Sequence, residues 1–124
     1  MDSVENNGLV VCRIGMRFVD SEAERAVQLL LSVVERIGVK AGCESCSVTR
    51  DEVEPDRILY NEIWASESHF QGHVQSAEFH NVLVAMDMCC EKPRVVVGAL
   101  SGRTGLEYLL DLRGGLEPAA DPGT

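Results

Sequence analysis

The sequence predicts an α+β fold of the ferredoxin-like type, and three observations lead to it. A segment in which apolar residues alternate with others begins at residue 9, as in a strand with one covered face. A stretch with apolar residues at helical spacing follows over 22–37. Three more strand-like segments then occur, and a helical stretch separates the last two. This is the split β-α-β-β-α-β order, in which an antiparallel four-stranded sheet carries both helical segments on one face.

The first strand and the first helix are defined by their periodicities. In residues 9–18 one parity is wholly apolar, whereas the other includes Arg13. Ser21 and Glu24 predict a capping box, because each side chain can bond the backbone amide of the other at the start of a helix. Gly38 follows the last apolar residue of the helical pattern, so we expect it to end the helix in a left-handed conformation.

The second and third strands form a predicted hairpin. Residues 43–50 are rich in Ser, Val and Thr, which suits a short strand. The acidic segment 51–56 contains Pro55 and suits a turn. Residues 57–65 then predict the third strand.

Two short helices and a last strand complete the order. Ser66 and Ser76 are placed to cap consecutive helices, and Pro93 ends the helical stretch. Residues 94–100 are almost continuously apolar. We expect them to form a strand in the centre of the sheet, because such strands are covered on both faces.

We expect one domain over residues 8–112, with flexible ends. The length of 124 residues is a common single-domain size. Residues 1–7 are polar and acidic and residues 113–124 are rich in Gly, Pro and Ala, so both predict flexible segments. The C-terminal extension at 104–112 is too apolar for a free tail, and it is either a fifth strand or a short helix that reaches a partner.

The acidic balance argues against several classes of partner. The chain has 20 Asp and Glu against 11 Lys and Arg, a net charge of −9, which repels phosphate backbones and anionic lipids. Its apolar runs are shorter than the about 20 residues that span a bilayer, and its N-terminus lacks a secretory pattern. We therefore expect a cytoplasmic protein that binds neither nucleic acid nor membranes and keeps its cysteines as thiols.

We also expect a homodimer. If both helical segments cover one face of the sheet, the other face is left as an exposed apolar surface. A second copy of the chain is the simplest cover for that surface.

Several local features together resemble the antibiotic biosynthesis monooxygenase (ABM) domains of the dimeric α/β-barrel superfamily. They extend over about residues 8–101 and are, in chain order, Arg13, Gly42-Cys43, Tyr60-Asn61-Glu62-Ile63-Trp64-Ala65-Ser66-Glu67, His73, Ser76, Phe79 and a valine-rich last strand. The most specific part is Glu-x-Trp-x-Ser-Glu with a histidine nine residues after the tryptophan. The resemblance implies a dimeric α/β barrel with a pocket between sheet and helices in each subunit.

The resemblance also implies a chemistry. Some ABM domains oxygenate polycyclic aromatic or quinol substrates without metal or flavin, and others degrade haem. The haem-degrading members use an asparagine on the first strand, where this chain has Cys12, Arg13 and Ile14. We therefore expect neither a cofactor nor a metal.

Candidate site residues follow from what a metal-free oxygenase requires, namely a base and polar groups that stabilise an anion. A histidine exchanges protons near neutral pH and is the candidate base. The catalytic candidates are His73, Trp64 and Asn61, and the substrate-binding candidates are Tyr60, Arg13 and Phe70.

Each candidate also has a purely structural interpretation. Trp64 is then a core aromatic residue and His73 a hydrogen-bonded histidine on a helix face. Strand alternation places Asn61 on the opposite face from Trp64 unless a bulge intervenes. Arg13 and Arg17 share a face, and they either pair with acids or attract an anionic or phenolate ligand.

Two spacings bear on metal binding. His69 and His73 are four residues apart on a helix, but no acidic ligand is paired with them. Cys43 and Cys46 have zinc-like spacing, but residues three apart on a strand point to opposite faces, which disfavours joint ligation.

Two functions remain open. The first is a cofactor-free monooxygenase acting on a quinol-like or polyphenolic aromatic compound. The alternative is a non-catalytic dimeric α/β-barrel protein that binds a small ligand or serves in assembly. The aromatic content of 5% favours the alternative, because flat aromatic substrates usually bind against aromatic walls.

Overall fold

The computed structural model describes residues 8–100 and 105–114, and this part of the chain has the predicted α+β architecture. The strands are β1 (Leu9–Arg17), β2 (Cys43–Arg50), β3 (Arg57–Trp64) and β4 (Arg94–Leu100). The helices are α1 (Asp20–Ile37), α2 (Glu67–Val74), α3 (Ala77–Asp87) and α4 (Leu106–Arg113). The flexible ends were predicted at 1–7 and 113–124, and they lie outside the described residues except for Arg113, the last residue of α4, and Gly114, which follows it.

The sheet is antiparallel with the order β2-β3-β1-β4, which confirms the ferredoxin-like prediction. Within one chain this sheet is open and does not close into a barrel. Its two sides differ. We call the side that carries Cys12 and Tyr60 the helix side, and the side that carries Arg13 and Asn61 the open side.

The hydrophobic core lies between the helix side and the helices. Strand alternation supplies one layer of buried side chains, and α1 supplies the facing layer at spacings of three and four residues. The members of the α1 layer are Ala23, Ala26, Leu30, Val33 and Ile37. Leu30 and Ile37 have no exposed surface, and burial of each contributes about 1.5–3 kcal/mol.

Strand β4 is an edge strand, so the prediction that it lies centrally is wrong. It pairs with β1 alone among the described strands, and every one of its residues is exposed. The helices pack over β1, β2 and β3, which leaves Val95, Val96 and Val97 uncovered in a single chain. Strand β4 is therefore apolar on both sides although it does not lie in the centre of the chain's own sheet.

The ends of α1 also differ from the prediction. The helix begins at Asp20 without a side-chain cap, so Ser21 and Glu24 lie inside it. Gly38 ends it in the right-handed conformation, with φ of −62°. Between α1 and β2 the glycine with a positive φ is Gly42, at +89°, which suits a glycine because it has no Cβ.

The C-terminal extension is a helix rather than a fifth strand, and residue 104 lies outside the described residues. In α4 the side chains of Leu106, Leu109 and Leu112 are exposed. Among the described residues, no helix has the length and apolar character needed to cross a membrane.

Candidate functional site

A buried carboxylate, Glu62, lies at the centre of a polar cluster on the helix side of the sheet. Its side chain has no exposed surface. The Tyr60 hydroxyl donates to Oε2, and Trp64 Nε1 donates to Oε1 over 2.9 Å. His73 Nε2 lies 2.7 Å from Oε2. A buried charge is costly unless it is hydrogen-bonded, and these three partners compensate for its lost hydration.

Two elements bring this cluster together. Strand alternation places Tyr60, Glu62 and Trp64 on the same side of β3. Helix α2 then carries His73 over them, and His73 is the one buried residue of that helix. Ser66 caps the start of α2 as predicted, because its hydroxyl accepts a backbone N–H of the first turn over 3.2 Å.

The imidazole of His73 is fixed by its neighbours. It stacks on the Trp64 ring at a centroid distance of 4.8 Å, and it meets Phe79 edge to face at 5.3 Å. Its Nδ1 is buried and has no hydrogen-bond partner. Because Nε2–H donation to Glu62 sets the tautomer, the neutral ring has its free lone pair at Nδ1. That atom can therefore accept a proton from a ligand.

Two thiols flank the carboxylate. Cys12 of β1 and Cys46 of β2 are the cross-strand neighbours of Glu62, and Cys46 donates to the Tyr60 hydroxyl over 3.5 Å. Burial, aided by the charge of Glu62, raises the pKa of Cys12 to about 12. Burial likewise raises the pKa of Cys46 to about 12, and burial with the adjacent carboxylate raises the pKa of Tyr60. All three groups are protonated at neutral pH, so the thiols are not nucleophiles there.

Two of the other predicted site residues lie apart from this cluster. Asn61 and Arg13 lie on the open side, where Arg13 Nε donates to Asn61 Oδ1 over 3.0 Å. Within one chain they share no surface with His73. Phe70 lies in α2 and is partly buried against the core.

Glu62 is not among the site residues predicted from the sequence, yet it lies at the centre of the observed cluster. The available signal is strand parity, because Glu62 lies between Tyr60 and Trp64 on the predicted buried face. A carboxylate on such a face is rarely left unpaired. Its partner His73 comes from α2, so no local sequence pattern on β3 predicts that the two side chains pair.

A β-bulge corrects the expectation for Cys43 and Cys46. Cys43 pairs with Trp64 and Cys46 with Glu62, and the irregularity between Cys43 and Ser45 puts both cysteines on the helix side. All five cysteines are free thiols. In the part of the chain that the structure describes, no group of three or more His, Cys, Asp or Glu side chains is arranged to hold a metal.

The cluster is closed to solvent. Tyr60, Glu62, Trp64 and His73 are each at most 2% exposed. A ligand can reach His73 only if a covering element moves.

A comparison with protein families decides the identity of the fold. A sequence model described as Antibiotic biosynthesis monooxygenase matches residues 10–83, which is more than half of the chain. The chain belongs to the antibiotic biosynthesis monooxygenase family. This confirms the resemblance seen in the sequence. No curated protein sequence matches the chain significantly.

Solved structures similar to this ABM chain confirm the fold. A candidate antibiotic biosynthesis monooxygenase from Deinococcus radiodurans has a TM-score of 0.70 at 15% identity, covering 78% of this chain and 97% of that one. A second candidate monooxygenase, from Caulobacter crescentus, has a TM-score of 0.68 at 16% identity and covers 77% and 92%. A conserved protein of unknown function from Bacteroides thetaiotaomicron, described as a possible oxidoreductase, has a TM-score of 0.70 at 13% identity and covers 76% and 99%.

Proposed function

We propose that this ABM chain is a cofactor-free monooxygenase that oxidises a quinol-like or polyphenolic aromatic compound. Family membership supports an oxygenase. The observation that carries the chemistry is the buried His73–Glu62 pair with Nδ1 left free.

His73 is the base in this proposal. Its Nδ1 accepts the proton of a phenolic hydroxyl, and Glu62 balances the charge of the imidazolium that forms. For a quinol with a free ring CH, one atom of O₂ is inserted at that carbon as a hydroxyl group, and the other leaves as water with the two hydrogens lost when the quinol becomes the quinone. For oxygenation at a ring CH₂, one atom of O₂ becomes the carbonyl oxygen, and the other leaves as water with the two hydrogens.

Of the other predicted residues near the cluster, two hold Glu62 and His73 in place and one contacts the substrate. Tyr60 and Trp64 hold the Glu62 carboxylate in place through their donors. The Trp64 ring also orients the imidazole by stacking. Phe70, which is partly buried on α2, supplies an aromatic wall for the substrate. Arg13 and Asn61 lie on the open side and take no part in this site.

Access requires α2 to move. This helix of eight residues buries a single side chain, His73, so little apolar area holds it down. Segments with few buried contacts open at low free-energy cost, and such motions gate many enzymes. The movement must keep His73 on Glu62, so we propose a partial loosening of α2 around His73 that exposes Nδ1 beside Trp64.

The second candidate function is non-catalytic, as a dimeric protein that binds a small ligand or serves in assembly. The closure of the cluster favours it, because Glu62 and its donors are sealed and hydrogen-bonded in the manner of a structural network.

We further propose that the chain acts as a homodimer in the cytoplasm. The valines exposed on β4 support a second copy, because they leave apolar surface uncovered in one chain. The free thiols support a reducing compartment.

Oxygen uptake with menadiol tests the catalytic proposal. Metal-depleted protein is placed in an oxygen electrode, and the rate is compared with autoxidation in buffer alone. We expect uptake that rises with protein concentration and saturates with menadiol. Absence of uptake above background across menadiol and an anthrone-type substrate would contradict the proposal and favour the non-catalytic alternative.

A further inference from the structure

A short segment of α2 lies between two histidines that are each held by contacts with other elements. We call residues 70–72 the gate segment, and it consists of Phe70, Gln71 and Gly72. His69 precedes this segment and His73 follows it. Helix α2 lies on the helix side of the sheet, where His73 meets Glu62. The homodimer proposed through the open side therefore leaves the gate segment uncovered.

His69 anchors the first turn of α2. Its ring lies against Gly42 and occupies the space that a Cβ on that residue would need. The Ser66 hydroxyl lies 2.8 Å from His69 Nδ1 and accepts the His69 backbone N–H over 3.2 Å. The Ala65 N–H donates to the Gly42 carbonyl over 2.7 Å. These contacts fix the start of α2 on the loop before β2.

His73 is anchored at two points. Its ring lies 2.7 Å from Glu62 and stacks on Trp64. Its backbone carbonyl accepts from the Ser76 hydroxyl over 2.6 Å and from the Ser76 N–H over 2.9 Å. A movement of α2 that keeps His73 on Glu62 must therefore occur between the two anchors.

The gate segment is the loosely held part of α2. Gln71 and Gly72 are exposed, and Phe70 is only partly buried. An added Cβ on Gly72 would meet nothing within 4 Å, so no close packing there requires a glycine. Glycine weakens a helix because it leaves the backbone more freedom than alanine does. Phe70 lies three residues before His73, so the two side chains share the face of α2 that packs on the core.

We propose that Phe70 is the gate of the candidate site, an inference that rests on the proposed function of His73. The gate segment loosens and carries Phe70 outward, which opens a path to His73 Nδ1, while both histidines keep their contacts. Gly72 sets how often this happens, because it lowers the stability of the helix at that point. When the segment forms again, Phe70 closes against the bound substrate.

Chemical modification of His73 tests the gate without relying on turnover. Diethyl pyrocarbonate acylates an imidazole nitrogen that has a free lone pair, and mass spectrometry of peptides gives a rate for each histidine. His80 is exposed and should react fast, whereas His73 should react slowly because its Nδ1 is buried. A reaction of His73 as fast as that of His80 would overturn the proposal.

Two variants change the gate in opposite directions. Gly72→Ala favours the helical form and should slow the modification of His73 about fivefold, as the helix propensities of glycine and alanine imply. Phe70→Ala removes the gate side chain and should speed the reaction about tenfold or more, because the apolar contact that holds the segment closed is lost. Leu83→Ala, 49% exposed on α3, is the control and should react at the wild-type rate. Wild-type rates in both gate variants would overturn the proposal, and Gly72→Ala decides the question if Phe70→Ala does not fold.

A further variant distinguishes the gate from a movement of the whole helix. His69→Ala removes the anchor on Gly42 but leaves the gate segment unchanged, so it should change the rate by less than about twofold, as ordinary surface changes do. A larger acceleration would show that α2 lifts from its first turn, and this would overturn the proposal. The menadiol assay is a separate measurement. Absence of oxygen uptake together with the expected modification rates would contradict the proposed function and leave the gate supported.

Discussion

Replacement of Glu62 by glutamine should destabilise the fold by about 2–5 kcal/mol, because the amide cannot serve all three partners of the carboxylate. One glutamine oxygen can accept from Tyr60 and His73, but the NH₂ group then faces Trp64 Nε1, which is also a donor. A buried donor left without an acceptor costs about 1–3 kcal/mol. The two bonds that remain lose their charge assistance, which costs about 0.5–1 kcal/mol each.

Urea unfolding followed by tryptophan fluorescence measures this loss, since Trp64 is the single tryptophan of the chain. All variants are compared at one protein concentration, because dimerisation would make stability depend on it. Glu54→Gln is the matched control, and it should cost at most about 1 kcal/mol because Glu54 forms exposed ion pairs. A loss of less than about 0.5 kcal/mol in Glu62→Gln, the range of ordinary surface changes, would refute the importance of the cluster.

Three further outcomes are expected. Light scattering should give about twice the chain mass of 13.6 kDa, and a monomeric mass at micromolar concentration would contradict the homodimer. EDTA and reductant should leave the thermal midpoint unchanged, whereas stoichiometric zinc in purified protein would contradict purely structural thiols. The free energy of unfolding should fall as pH rises from about 9 to about 12, since the pKa of Cys12 is raised from 9.0 to about 12. The Cys12 thiol should lower the free energy of unfolding by about 1.4 kcal/mol per pH unit over this range. An equal dependence on pH in Cys12→Ala would exclude this thiol as the cause.

A fourth expectation concerns the loop before β2. In Gly42→Ala the new Cβ would lie 2.3 Å from the ring of His69, on a backbone with φ of +89°. We expect a loss of about 1–3 kcal/mol in urea unfolding from the strained backbone and the clash. Gly72→Ala is the control, because nothing lies within 4 Å of its added Cβ, and it should be neutral or slightly stabilising. Equal stability of the two variants would contradict this reading of the loop.

The order of the strands and helices could be predicted from the sequence, because it depends on the local spacing of apolar residues. Strands β2 and β4 begin and end at the predicted residues. The edge position of β4 could not be predicted from the sequence. Val95 and Val97 would be apolar both in a central strand and in an edge strand that another chain covers. The capping pattern of Ser21 and Glu24 was misleading for a related reason. It is a local signal, and the helix begins upstream of it.

Only part of the site could be predicted from the sequence. Strand parity and the family resemblance select Tyr60, Trp64 and His73, and the structure brings these three into contact with Glu62. The central place of Glu62 depends on the folding of α2 back over β3, a long-range contact that no local pattern contains. The bulge beside Cys43 is similar, because it changes the side of the sheet on which that residue lies.

The rate of menadiol-dependent oxygen uptake by His73→Gln tests the central claim most directly. This variant keeps an N–H that can donate to Glu62, but it has no imidazole to accept a proton. If His73 is the base, the rate should be about 10²-fold or more below that of wild type, the usual scale of acid–base catalysis. His80→Gln, an exposed change on α3, should keep the wild-type rate. Equal rates in wild type and in folded His73→Gln would contradict the claim that His73 is the base.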